Sequence, residues 1–70
     1  MSRAQELLQR IEQIVAEMEP VTREVFLLHR LEGRSYARIA HDLGIGLDEV
    51  EQHLAQAILM LDQGLRRDGL

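Results

Sequence analysis

The sequence predicts an all-α fold: a four-helix domain whose last two helices form a helix-turn-helix, the C-terminal one long and of the recognition type. Three observations predict it. Leu, Ile, Ala, Glu, Gln and Arg are abundant and there is a single proline, a balance of strong helix formers and few breakers. Apolar residues recur at helical spacing from Leu7 to Leu61, one stripe per helix. Gly44 separates two of those stripes by a connection of about three residues, the length of a helix-turn-helix corner.

Seventy residues make one small domain, 1–70, near the lower limit for a self-sufficient core, so its helices must share apolar faces or borrow a partner's. The absence of cysteine excludes a disulfide framework and a thiolate metal site. Neither a signal-peptide pattern nor an apolar run long enough to span a membrane is evident, and a cytoplasmic location without membrane contact is expected.

The first helix is expected from about Ala4 to Met18, with Ser2 as its cap and Leu7, Leu8, Ile11, Ile14, Val15 and Met18 as its apolar stripe. Pro20 pushes Glu19 out of the helical region and suits the first turn of a second helix. That helix carries Val25, Phe26, Leu27 and Leu28 in succession, apolar on more than one face, as a central helix is; Gly33 ends it. Ser35 caps a third helix bearing Tyr36, Ile39, Ala40 and Leu43. Gly44 closes it in a left-handed conformation and Ile45 plugs the corner. Gly46, with Glu49 three residues on, starts the fourth helix, whose stripe is Leu47, Val50, Leu54, Ala57, Ile58 and Leu61. Ala40 is the small residue expected to be buried where the third and fourth helices cross, in a helix-turn-helix spanning about 35–63. Gly64 and Gly69 read as a frayed tail, with Arg66 and Arg67 complementing the helix dipole. A plain helical hairpin would share much of this periodicity without requiring the small residue and the glycine at the corner.

From Glu19 to Leu61 the residues then carry a resemblance. Pro20, the run TREVFLLHRL from Thr22 to Leu31, Glu32-Gly33, Ser35-Tyr36-Ala37, Ile39-Ala40, Leu43-Gly44-Ile45, Val50-Glu51 and His53-Leu54-Ala55 resemble the fourth conserved region of bacterial sigma factors, of the extracytoplasmic-function kind and its iron-uptake branch. The resemblance implies a four-helix unit that reads the upstream (minus thirty-five) promoter element, docks on a flap of core RNA polymerase, and is occluded by anti-sigma proteins. Promoter DNA, core polymerase and an anti-sigma protein are therefore the implied partners.

A recognition helix offers base edges the side chains opposite its buried stripe, here Asp48, Glu49, Gln52, His53 and Gln56. Arg34 and Arg38 can hold phosphates or simply be a solvated face. The family usually has small hydroxyl residues at the positions of Gly46, Asp48 and Glu49 and basic ones at those of Gln52 and Gln56. Charge points the same way: eight basic residues against twelve acidic give a net charge of −4, and from Asp42 to Gln56 there are four carboxylates and no arginine. Such a helix loses counterion-release free energy, so weak intrinsic DNA binding is expected. The alternative is a sigma-like interaction module that binds polymerase, an anti-sigma protein or itself without reading DNA. With Leu54 central in the buried stripe, Leu59 and Met60 are expected to project away from it and, with the outer faces of Phe26 or Leu27, to form a partner or homodimer surface, unless they pack on the first helix.

Catalysis has no support in the sequence. His29, His41 and His53 lie on different helices without a metal-ligand spacing, His41 beside Asp42 suits a surface helix end, and no Gly-rich loop follows a strand. No enzyme activity, metal or cofactor is expected.

Overall fold

In a computed structural model, described here for residues 2–67, the chain forms four helices: α1 Arg3–Glu17, α2 Pro20–Arg30, α3 Tyr36–Leu43 and α4 Leu47–Arg67. Local chemistry sets each boundary. The Ser2 hydroxyl accepts from the Gln5 amide at 3.1 Å and the Gln5 side chain accepts from the Ser2 amide at 3.2 Å, a reciprocal box that starts α1. Pro20 takes the first position of α2, where its missing N–H costs nothing. The Ser35 hydroxyl accepts from the Arg38 amide at 3.1 Å and starts α3.

The corner between α3 and α4 is closed by backbone hydrogen bonds. Gly44 sits at φ 67°, its N–H donates to the His41 carbonyl at 3.3 Å, and the Ile45 N–H donates to the Ala40 carbonyl at 3.1 Å. This is the paired closure of a Schellman motif, in which a left-handed residue satisfies carbonyls the helix would otherwise leave open. Ile45 turns inward and packs with Ala40 and Leu43 on the core. The chain is thereby reversed within three residues and α4 is started against α3.

Two apolar clusters meet along α4. Val25, Leu28, Ile39, Val50 and Leu54 form the first, joining α2, α3 and α4. Ile14, Met18, Phe26 and Ala57 form the second, joining α1, α2 and α4 with Val15, Leu27, Met60, Leu61 and Leu65 against them. The buried residue of α3 is Ile39, at 0% exposure. Ala40, expected to be buried at the crossing, is half-buried beside the cluster instead, because the branched side chain one position earlier fills the interface.

Several positions depart from the expected stripes for one geometric reason. α1 lies along the side of α4 that carries Ala57, Met60 and Gly64, which shifts the buried arc of α4 away from Ile58. Ile58 is consequently exposed, and Leu47, in the first turn of α4, is exposed as well. Met60, expected to project outward, packs on the second cluster. Gly64, read as part of a frayed tail, is instead within α4 and under α1: a Cβ built there would lie 2.6 Å from Ile14 Cδ1 and 3.0 Å from Ile14 Cγ1. The absence of a side chain lets the two helices approach. Gly69 falls outside the described residues. Leu7 and Leu8 on α1 are exposed, as is Tyr36 on α3, whose ring meets His29 edge-on at 5.2 Å.

Gly64→Leu is expected to lower unfolding free energy by about 1–3 kcal/mol through overpacking against Ile14. Urea titration checks it, and an unchanged midpoint would mean that α1 does not press on α4 at that turn.

Candidate nucleic-acid interface

The outward face of α4 follows from its inward one. Val50, Leu54 and Ala57 are buried, so Asp48, Glu49, Gln52 and Gln56 are left exposed and His53 stands half-buried at the edge, all within the first three turns of the helix. Side chains three and four apart share a face, and Gln52, His53 and Gln56 stand together on one wall of a cleft of 320 Å³. Glu17, Glu19, Thr22 and Met60 complete its lining.

His53 is not free. Its Nδ1 lies 2.9 Å from the Thr22 hydroxyl, and Thr22 is 1% exposed on α2. A buried hydroxyl needs a partner, and this one ties the wall of the cleft to the central helix, leaving Nε2 as the ring nitrogen available to a ligand. Thr22 was not singled out by sequence reasoning; within the run Thr22 to Leu31 it gives no signal apart from a polar residue on the inward face of α2.

Glu49 also has structural work. Its Oε1 accepts from the Gly46 amide at 3.0 Å, the half of a capping box contributed by the third helical position, and with Asp48 it places two carboxylates in the first turn of α4, where the helix dipole favours them. Glu49 is thereby turned back toward the corner. Asp48 is the carboxylate of that turn that makes no hydrogen bond or ion pair among the described residues, and it stands close above Gly46.

Arg34 and Arg38 are brought together, and both meet Asp42. Arg34 Nη1 donates to Asp42 Oδ2 at 2.6 Å, and its Nη2 donates to Glu32 Oε1 at 2.8 Å. Arg38 Nε lies 3.0 Å from each oxygen of the same Asp42 carboxylate. Removal from water would by itself raise the Asp42 pKa, but the hydrogen bonds and charge of Arg38, then of Arg34, outweigh it and hold the carboxyl below its ordinary value. The spacing of Arg38 and Asp42, four apart on one helix, was the available sequence signal; the reach of Arg34 across eight residues was not.

The residues expected to form a partner surface are divided. Phe26 is 8% exposed and belongs to the core. Leu27 is half-buried on the wall of an apolar groove of 470 Å³ between α1 and α2, together with Leu8, Ile11, Val15 and Leu31. Leu59, 47% exposed, lies on α4 away from that groove. Phe26, Leu27, Leu59 and Met60 therefore do not make one patch. Among the described residues no group of His, Cys, Asp and Glu is arranged to hold a metal ion, and no helix is long and apolar enough to cross a membrane.

Comparison with known proteins matches residues 8–61 to the family described as sigma-70, region 4. The ferric citrate uptake sigma factor FecI of Escherichia coli (strain K12) is 38% identical to the chain over 53 residues, 76% of this chain and 31% of the relative. The chain thus spans about a third of the length of the curated relative it matches.

The lowered Asp42 pKa fixes the sign of a pH effect. A carboxylate whose folded pKa is depressed contributes stability above its unfolded value, near 3.8, and loses it as pH falls through the folded value. Wild type should therefore exceed Asp42→Asn in stability at neutral pH and lose that advantage at a pH below the folded Asp42 value, which itself lies under 3.8. Urea midpoints at the two pH values check this, and a difference independent of pH would contradict the ion-pair origin.

Proposed function

Since the chain belongs to the region 4 family of sigma-70 factors, we propose that it is the promoter-reading module of a transcription-initiation factor of the extracytoplasmic-function kind, with weak intrinsic affinity for DNA. The observation that carries this reading is the helix-turn-helix itself. Its corner is closed at Gly44 and Ile45, and it presents Gln52, His53 and Gln56 on the unburied side of α4. A second helix held across the first in this way can lie in a major groove with its N-terminal turns at the base edges. Gln52 and Gln56 then suit adenine, which offers a donor and an acceptor side by side.

Electrostatics limits the affinity. Most nucleic-acid binding free energy comes from phosphates neutralised by cations, and the cations nearest the corner, Arg34 and Arg38, are already held by Glu32 and Asp42. Asp48 adds a repulsive charge where α4 would enter the groove. Binding is then supplemented by a protein partner, which for this family is core RNA polymerase. The groove between α1 and α2 is the apolar surface suited to it: lined by Leu8, Ile11, Val15, Phe26, Leu27 and Leu31, it lies apart from the reading face, so that both can be engaged at once. A helix presenting leucines or phenylalanines is the complement of such a groove.

The paired arginines and acidic first turn equally favour a second reading, in which the domain is an interaction module that meets polymerase, an anti-sigma protein or another copy of itself without contacting DNA. Substitution separates the two. Asp48→Ser, Gln52→Lys and Gln56→Arg together, with Glu49 kept because it caps α4, should raise duplex affinity and steepen the salt dependence by about 1.8 in log–log slope, two added phosphate contacts. A wild-type chain that binds one duplex tightly, and a variant that binds it less well, would instead make the acidic turn part of base readout. No duplex binding by either would leave the interaction module.

A further inference from the structure

We infer that Asp42 is a built-in counter-anion occupying the phosphate site formed by Arg34 and Arg38, so that a DNA backbone engages these arginines only by displacing it. This rests on the DNA-reading proposal above and adds a residue that sets its strength.

The geometry is that of an occupied anion site. One carboxylate receives Arg34 Nη1 at 2.6 Å on Oδ2 and Arg38 Nε at 3.0 Å on both oxygens, an arrangement of donors that would serve a phosphate equally well, because guanidinium forks match both groups. The site is also held in place. The Arg34 amide donates to the Leu28 carbonyl at 3.1 Å, and His29 Nδ1 donates to the Arg34 carbonyl at 3.2 Å, which fixes the backbone from which Arg34 projects. Arg38 is anchored on the first turn of α3 by the Ser35 cap.

Asp42 is poorly placed to serve the helix that carries it. It stands in the last turn of α3, where a carboxylate faces the negative end of the dipole, and an arginine four residues before an acid is the weaker order of that pair. Its interaction with the arginines is what offsets the dipole. The local charges then cancel: Arg34 and Arg38 stand against Glu32 and Asp42.

Displacement changes the salt balance of binding. An arginine that meets a phosphate releases a condensed cation from the duplex. The Asp42 carboxylate set free in the same step stays beside the phosphates as an unpaired negative charge, and its repulsion offsets the attraction the arginine supplies. The wild-type arginines therefore add little to the salt dependence even when they touch DNA.

Asp42→Asn keeps the shape and removes the competing charge. The Arg38 side chain meets no other side chain among the described residues, whereas Arg34 retains Glu32. In titrations of the full chain with a duplex of scrambled sequence, whose phosphates suffice for the purpose, Asp42→Asn should bind about tenfold more tightly at low salt. Its log–log salt slope should steepen by about 0.9, and by about 1.8 when Glu32→Gln is added. Adding Arg38→Ala to Asp42→Asn should return both quantities to wild type. Equal slopes and affinities for wild type and Asp42→Asn, with measurable binding, would overturn the inference.

A readout without DNA separates this from the functional reading. Titration with inorganic phosphate should shift the Arg38 Nε–H resonance of Asp42→Asn saturably and leave that of wild type in place. A folded Asp42→Asn chain with no such shift would overturn the counter-anion role. Phosphate capture by that variant, with no duplex bound by any variant, would uphold the counter-anion role and overturn the DNA reading.

Discussion

The whole structure depends on one side of α4. A single stripe, Val50, Leu54 and Ala57, is buried against three other helices, and in so small a chain no second layer of core stands behind it. The stripe joins the cluster under α3 to the cluster under α1, so a change at either end is felt through the same helix. It also decides what faces outward. Once Val50 and Leu54 point inward, Gln52 and Gln56 must point away, and the side chains presented to a ligand are a geometric consequence of those that hold the core.

Two interactions convert that constraint into a site. The Schellman closure at Gly44 fixes where α4 begins, and the bond between buried Thr22 and His53 fixes its rotation against α2. Neither is large alone, since a hydrogen bond contributes about 0.5–1.5 kcal/mol net. Their value lies in removing alternatives, because a rotation of α4 would break the Thr22 bond and expose Val50 together. The outward face of α4 is therefore held in one orientation.

The elements were legible in the sequence where one residue type dictates the local answer. Ser2, Pro20, Ser35 and Gly44 each mark a boundary that the structure has within a residue of its expected place, because capping and proline geometry are local. Burial was less legible. Ile58 and Met60 exchange their expected roles because the position of α1 beside α4 is a tertiary choice, and periodicity gives the width of an apolar face but not which edge a neighbour covers. Gly64 was misread for the same reason: a glycine near a helix end resembles a terminator until the helix crossing it is known. At the site, the acidity of Asp48 and Glu49 was visible, whereas the capture of Arg34 by Asp42 required the two sides of the loop to be folded together.

In the proposed function α4 and the Arg34–Arg38 corner meet DNA while the α1–α2 groove is left for a protein. Amide chemical-shift mapping of the chain with a promoter-like duplex tests it most directly. Perturbations confined to residues 34–38 and to the first three turns of α4, with the amides of Leu8, Ile11, Leu27 and Leu31 unmoved, are the predicted result. Perturbations centred on the α1–α2 groove, with Gln52 and Gln56 unmoved, would contradict it.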